Sequence, residues 1–400
     1  MWGGGVWKRE PKVAPMGKAE KKSTLADVLD LRLNALNALR LVLAVSVIVW
    51  HTFAVTGAVH PPAPVTQLLG QGGVDGFFAI SGFLIVSSWL RRPHWWPYLR
   101  ARFLRILPGF WVCLVVTVLV LAPIGVLLTG HGFPHSYMTD SVLFVVKNAA
   151  LRINEFGIAG TPQGVPYPGV WNGSLWTLWW EFLCYLVVLA LGLTRVLRFR
   201  VTVPLAFVAC LVVMVLSDLG VVHNFYLVNG ARFGIMFAAG ALIQQFQRLL
   251  PARWWLVGAA ALVIAGSAFL PDYRVIAALP LAYLLIAVGA LVKVQQLRLE
   301  NDVSYGTYIY AFPVQQVLAC AGLSVLGVPL FAAVATALTL GLATLSWYAV
   351  EKPAMRLKNV LRRRAVVAAP AVPPGTARPT AAVVLPAVDA RPSVRPSVDS

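Results

Sequence analysis

The chain has 400 residues, of which 59% are hydrophobic and 12% charged, about half the charge of a soluble domain. Its apolar residues fall in blocks of about 17–25, long enough to cross a hydrocarbon core of about 30 Å, and the alternation of a transmembrane barrel is absent. The formal charge of +18 would point to nucleic acid in a soluble protein. Here no basic stripe with interleaved stacking aromatics occurs, and cytoplasmic loops of helical membrane proteins collect Lys and Arg, so no nucleic-acid partner is expected.

These features predict an all-α fold, a polytopic membrane bundle of about ten helices. Residues 1–22 carry Lys8, Arg9, Lys12, Lys18, Lys21 and Lys22 and read as disordered. Ser23 or Thr24 is a candidate N-cap for a short interfacial helix whose leucines, from Leu25 to Leu39, recur at loosely helical spacing. Spans are expected at about 40–58, 74–90, 106–128, 172–193, 201–217, 230–247, 255–270, 274–292, 303–323 and 326–349. Segment 140–152 is too short and polar to cross and belongs to a long loop, 129–171. The Ala/Pro/Val-rich end reads as disordered. This divides the chain into 1–38 (basic tail and interfacial helix), 39–358 (membrane domain) and 359–400 (tail). The odd-numbered connections hold only Lys147, Arg152, Arg232 and Arg274 among 33 basic residues. With ten spans, that bias places both termini in the cytoplasm. No cleavable signal peptide is expected. Cys113, Cys184, Cys210 and Cys320 each lie within an apolar block and read as small buried hydrophobes; no metal site is expected.

The stretch "RLVLAVSVIVWH" places Arg40 and His51 eleven residues apart. That is three turns plus about 20°, so both share one face, about 16 Å apart along the axis. An ionisable group in mid-span is a functional hypothesis by default. In "WNGSLWTLWWEFLCYLV", Glu181 lies ten residues in from Trp171, about 15 Å deep from the other side. A carboxylate and an imidazole at equal depth can pair, which fixes the ring tautomer and strengthens His51 as a base. Thr177, Glu181 and Tyr185 share a face; Trp176 belongs to an aromatic belt. The second span contributes Asp75, near the outer boundary, and Ser81, which lacks a Gly-x-Ser-x-Gly elbow and reads as a packing or hydrogen-bonding residue. Asp75, Ser81, Trp176 and Tyr185 are candidate substrate-binding residues. Arg102 and Arg105, at i and i+3, suit a polyphosphate, such as that of a cytosolic coenzyme A thioester. Tyr310, one of the hydroxyl residues in "DVSYGTYIYAFPVQQ", completes the candidate donor site.

Taken in order, Arg-x10-His, "GVDGFFAISGFL", Arg102-x-x-Arg105, "SLWTLWWEFLCY", "SYGTYIYAFPV" and "VEKPAMR" with Glu351 and Pro353 resemble the membrane-bound acyltransferase-3 family of cell-envelope O-acetyltransferases, from about Arg40 to Arg356. The resemblance implies an acyl-CoA donor, expected to be acetyl-CoA, with no metal. It also implies an acceptor hydroxyl on an extracytoplasmic glycan or glycolipid, and a multi-pass location in membrane lipid, the bacterial plasma membrane. Where the family reads Tyr-Leu-x-His-x-Pro, this chain has Tyr310-Ala311-Phe312-Pro313, so a second histidine is missing. The hydrolase-like domain of some relatives has no counterpart here, which favours a membrane-associated acceptor. The expected catalytic set is His51, Glu181 and Arg40. A secondary transporter or flippase for a lipid-linked saccharide is the alternative, since transporters also hold ionisable groups at mid-depth.

Overall fold

A computed structural model describes residues 23–31 and 33–357. The expected basic tail before residue 23 and the 359–400 tail lie outside the described residues. Among these residues thirteen α-helices follow one another: α1 (Leu25–Val28), α2 (Leu36–Thr56), α3 (Ala63–Arg91), α4 (Trp95–Val116), α5 (Ala122–Thr129), α6 (Tyr137–Asn148), α7 (Thr177–Leu193), α8 (Thr202–Asp218), α9 (Phe225–Phe246), α10 (Trp254–Ser267), α11 (Arg274–Leu291), α12 (Ser304–Cys320) and α13 (Gly327–Ser346). No strand occurs among the described residues. A π-helical turn at Thr117–Leu121, next to Pro123, joins α4 to α5, and a second at Trp347–Glu351 extends α13.

Each of the ten expected segments contains a helix. Among the described residues, six stretches are long and apolar enough to cross a membrane: Leu36–Thr56, Ala63–Arg91, Trp95–Thr129, Phe225–Phe246, Arg274–Leu291 and Leu323–Leu357. The others, α7, α8, α10 and α12, have 17, 17, 14 and 17 residues. At 1.5 Å per residue they span about 21–26 Å, short of a full hydrocarbon core. The exposed side chains of α8 and α10 include Leu205, Val208, Val212 and Leu262. Apolar residues facing outward on several helices fit lipid as the surrounding solvent. The chain is a multi-pass helical membrane protein.

The interfacial helix is shorter than expected. Thr24 does cap it: its backbone N–H and its hydroxyl both donate to Asp27 Oδ2, at 3.0 and 2.8 Å. The helix then stops after one turn, and the backbone of residues 23–26 pairs with a distant segment. Leu25 N donates to Leu250 O (2.8 Å), Ala26 N to Gln247 O (3.0 Å), and Ala252 N to Ser23 O (3.0 Å). A new helix begins where the Asn34 side chain accepts from Leu36 N (3.0 Å). Gly57, at φ 70°, ends α2 in the left-handed conformation that glycine adopts without penalty.

The inner packing rests on α3, α9 and α12. Gly82 of α3 lies against the Phe237 carbonyl of α9, and Gly240 of α9 against the Ala79 carbonyl of α3, leaving no room for a Cβ on either. Small residues facing each other let helix backbones approach this closely in a membrane. In α12 every residue but Val317 is buried, so its polar side chains need internal partners. Gln315 donates to Ile48 O (2.8 Å) and to Thr52 Oγ1 (2.9 Å) of α2. Gln316 donates to Tyr167 O and Val170 O, both at 2.7 Å. That second set ties the loop before α7 into the bundle, where Trp171, Asn172, Ser174 and Leu175 are buried. Arg232 and Arg274, expected in connections, belong to α9 and α11 instead.

Candidate active site

At the N-terminal end of α2, a carboxylate that sequence reading missed organises two expected residues. Asp302, two residues before α12, places Oδ2 against both Arg40 Nη1 and Arg105 Nη2, the second at 2.5 Å. Its Oδ1 accepts from the Ser304 hydroxyl and from Ser304 N (3.3 Å). Burial alone would raise the Asp302 carboxyl; Arg105 and Arg40 more than offset that and hold it below the usual carboxylate range. Arg40 also lies 5.6 Å over the Phe77 ring, and Arg105 5.6 Å over Tyr305.

Arg102 and Arg105, expected to act as a pair, have different partners. Arg105 is committed to Asp302. Arg102 donates to the neutral Ser88 Oγ (3.0 Å) and lies over the rings of Tyr98 and Tyr185, at 5.5 and 5.9 Å. It makes no ion pair among the described residues. Tyr310, assigned to the same site from sequence, is 1% exposed and sits beside Ser346 of α13. The α12 tyrosine that meets an arginine is Tyr305, which faces α4: its ring lies under Arg105 and its hydroxyl donates to Ile106 O (2.7 Å).

Glu181 does not orient His51. Its Oε1 accepts from Ser81 Oγ (2.8 Å) and from the Tyr185 hydroxyl. Tyr185, in turn, accepts through its backbone carbonyl from Tyr98 OH (3.0 Å). The error lay in counting depth from Trp171. The chain from 151 to 176 folds into the bundle as loop, and α7 starts only at Thr177. Thr177, one turn before Glu181, therefore occupies the level of His51. Ser81 and Tyr185, expected against substrate, are the bonded partners of this carboxylate.

His51 lines a cavity of about 270 Å³ between α2, α3, α7, α9 and α12, together with Gln71, Trp176, Thr177, Arg232 and Tyr308. Its Nδ1 lies 2.9 Å from the carbonyl of Val47, one turn back. A carbonyl only accepts, so in the neutral ring Nδ1 carries the proton and Nε2 the lone pair. No hydrogen bond to Nε2 occurs among the described residues. The ring edge rests on Phe312, 5.2 Å away. On the cavity's other side the Thr177 hydroxyl meets Tyr308 OH at 2.5 Å, and Tyr308 donates to Ser174 O (2.7 Å). The Tyr308 ring packs 5.9 Å from Phe77, the same ring that lies under Arg40. Phe77 and Tyr308 thus stand between the arginine cluster and the histidine cavity.

Asp75, a candidate substrate residue, is 0% exposed; its Oδ2 meets Arg274 Nε at 2.7 Å and Tyr273 OH at 2.5 Å. Arg274 is also held by Asp272 at 2.9 Å. That geometry gives Asp75 a structural ion pair across α3 and α11.

This constellation sits on a chain whose residues 33–348 match the acyltransferase-3 family model, described as an acyltransferase domain. The chain belongs to that family. It is 27% identical over 295 residues to an O-acetyl transferase of Shigella phage Sf6, covering 71% of this chain and 85% of the relative. It is 28% identical over 329 residues to nodulation protein 10 of Rhizobium leguminosarum bv. viciae, covering 74% and 85%. No solved structure matches it significantly. The protein is an acyltransferase of the membrane.

Proposed function

We propose that this protein transfers an acyl group, acetyl in the simplest case, from acyl-CoA on the cytosolic side of a bacterial plasma membrane to a hydroxyl of an extracytoplasmic glycan or glycolipid. The observation that carries the reading is His51: Nδ1 tied to Val47 O, and Nε2 unbonded in a cavity. In the proposed step the acceptor oxygen attacks the thioester carbonyl and its proton passes to Nε2. The carbon–sulfur bond breaks, and the proton leaves with the CoA thiolate. General-base help of this kind is worth about 10²–10⁴ in rate.

Arg102 is the guanidinium best suited to the CoA phosphates, because it has no carboxylate partner, while Arg105 supports Asp302. The name of the phage relative, an O-acetyl transferase, favours acetyl as the group moved. In the ten-span topology that the loop charges favour, the arginine cluster lies on the cytosolic side and the His51 cavity beyond it.

The test is His51→Ala, purified in detergent and checked for an unchanged thermal midpoint, then given radiolabelled acetyl-CoA and envelope lipid extract. Transfer is expected to fall by at least about 100-fold; transfer at the wild-type rate would refute the assignment. Export of a lipid-linked saccharide without acetyl transfer by the wild type would instead favour a transporter.

A further inference from the structure

One charged side chain in the His51 cavity is left over by the chemistry above. Arg232, the eighth residue of α9, sits about 10 Å from the helix start and lines the cavity. It makes no ion pair and no hydrogen bond among the described residues, and its Nε is buried without a partner. Its guanidinium carbon lies 5.1 Å from the ring centroid of its neighbour Phe233. Every other buried or half-buried arginine discussed so far has an assigned partner.

The carboxylates nearest to it do not fill that role. Asp75 and Asp272 act on Arg232 electrostatically, but both are bonded to Arg274, at 2.7 and 2.9 Å. Paired with Arg274, whose own charge repels Arg232, they leave its donors unoccupied. The cavity lining itself contains no carboxylate; its polar members are His51, Gln71, Ser174, Thr177, Tyr308 and Arg232. A guanidinium inside a membrane bundle costs free energy unless a counter-ion or a ligand meets it. Its planar fork of donors matches a carboxylate or phosphate in two-point contact.

We propose that Arg232 recognises an anionic group on the acceptor: the saccharide brought to His51 is acidic, with a carboxylate or phosphate that pairs with this guanidinium while a hydroxyl faces Nε2. This deepens the reading of the site as the acceptor cavity of an acyltransferase and rests on it. Gln71 and the Thr177–Tyr308 pair supply neutral polar contacts for the sugar ring.

The experiment reads binding, so that it does not depend on turnover. Octyl β-D-glucuronide and octyl β-D-glucoside, which differ only in the carboxylate, are titrated against the full-length protein in detergent, and the thermal midpoint is followed. The glucuronide is expected to stabilise the wild type at concentrations where the glucoside does not. Arg232→Gln, which removes an unpaired charge and should fold at least as well, is expected to weaken glucuronide binding at least tenfold. Arg232→Lys, which keeps the charge but not the fork, should fall between. Equal responses to the two glycosides would overturn the proposal. So would no response to glucuronide in the wild type, or undiminished glucuronide binding in Arg232→Gln. Glucuronide binding by a wild-type protein that transfers no acetyl from acetyl-CoA would refute the acyltransferase reading and leave the anion site standing.

Discussion

At Asp302 one carboxylate oxygen serves two guanidiniums, Arg40 and Arg105, each 16% exposed. Removing it leaves two half-buried cations facing each other, which costs about 3–5 kcal/mol. Asp302→Asn is therefore expected to lower the thermal midpoint in detergent by several degrees. The pH dependence has a definite sign. The folded carboxyl lies below its unfolded value of about 3.9, so its contribution is complete above that value and is lost as pH falls through the lower folded one. The wild-type midpoint should lose this contribution only in that acid window, and the Asn variant should lack that step in a pH series of melting curves. Arg102 and Arg105 should then separate cleanly. Arg102→Ala is expected to weaken acetyl-CoA binding at least tenfold with little change in melting, whereas Arg105→Ala should lower the melting temperature first. Calorimetric titration alongside thermal melting checks both. Neither the Asp302 bridge nor the Asp75–Arg274 pair is visible in a local reading. The partners are 262 residues apart in the first case and 199 in the second, and nothing in helical spacing reports such contacts.

Among the helices, α3 and α9 cross with Gly82 and Gly240 against each other's main chain. A Cβ meeting a backbone carbonyl cannot be relieved by a rotamer change. Gly82→Ala is expected to cost about 1–3 kcal/mol or more and to show as a lower melting temperature. Gly258 of α10 offers the control, since nothing lies within 4 Å of an added Cβ. There alanine should be neutral or stabilising by up to about 1 kcal/mol. At this scale the sequence was readable where periodicity governs. The shared face of Arg40 and His51 needs only 3.6 residues per turn, and α2 runs unbroken through both. It was misread where tertiary bonds override the local pattern. The leucine spacing before Leu36 looks helical, yet the backbone of residues 23–26 pairs with 247–252. Likewise, tryptophans at 171 and 176 look like the start of a span, yet Trp171 is buried in a loop, its Nε1 bonded to Thr161 Oγ1 at 3.0 Å.

For the whole molecule, hydropathy located the ten apolar helical stretches but not α6 (Tyr137–Asn148), which lies where a loop was expected because its polar residues break the apolar run; the four shorter helices show why hydropathy alone does not fix how many cross. The ten-span arrangement makes a direct prediction. A cysteine introduced at Gln163, an exposed loop position, should react with a membrane-impermeant maleimide in intact cells, and one at Arg198 only after permeabilisation; the reverse pattern would invert the topology. The arginine cluster and the His51 cavity, separated by Phe77 and Tyr308, fit the proposed reaction, in which donor and acceptor meet from opposite sides. The Val47 carbonyl then carries a kinetic corollary. Were acetyl parked on Nε2, neutralising the ring would strip the proton from Nδ1 and leave two lone pairs facing each other across 2.9 Å. For the reaction proposed above, with His51 as base, this disfavours a ping-pong route through an acetylated enzyme and predicts that both substrates are aboard together. Labelled free CoA should not exchange into acetyl-CoA until the saccharide is added.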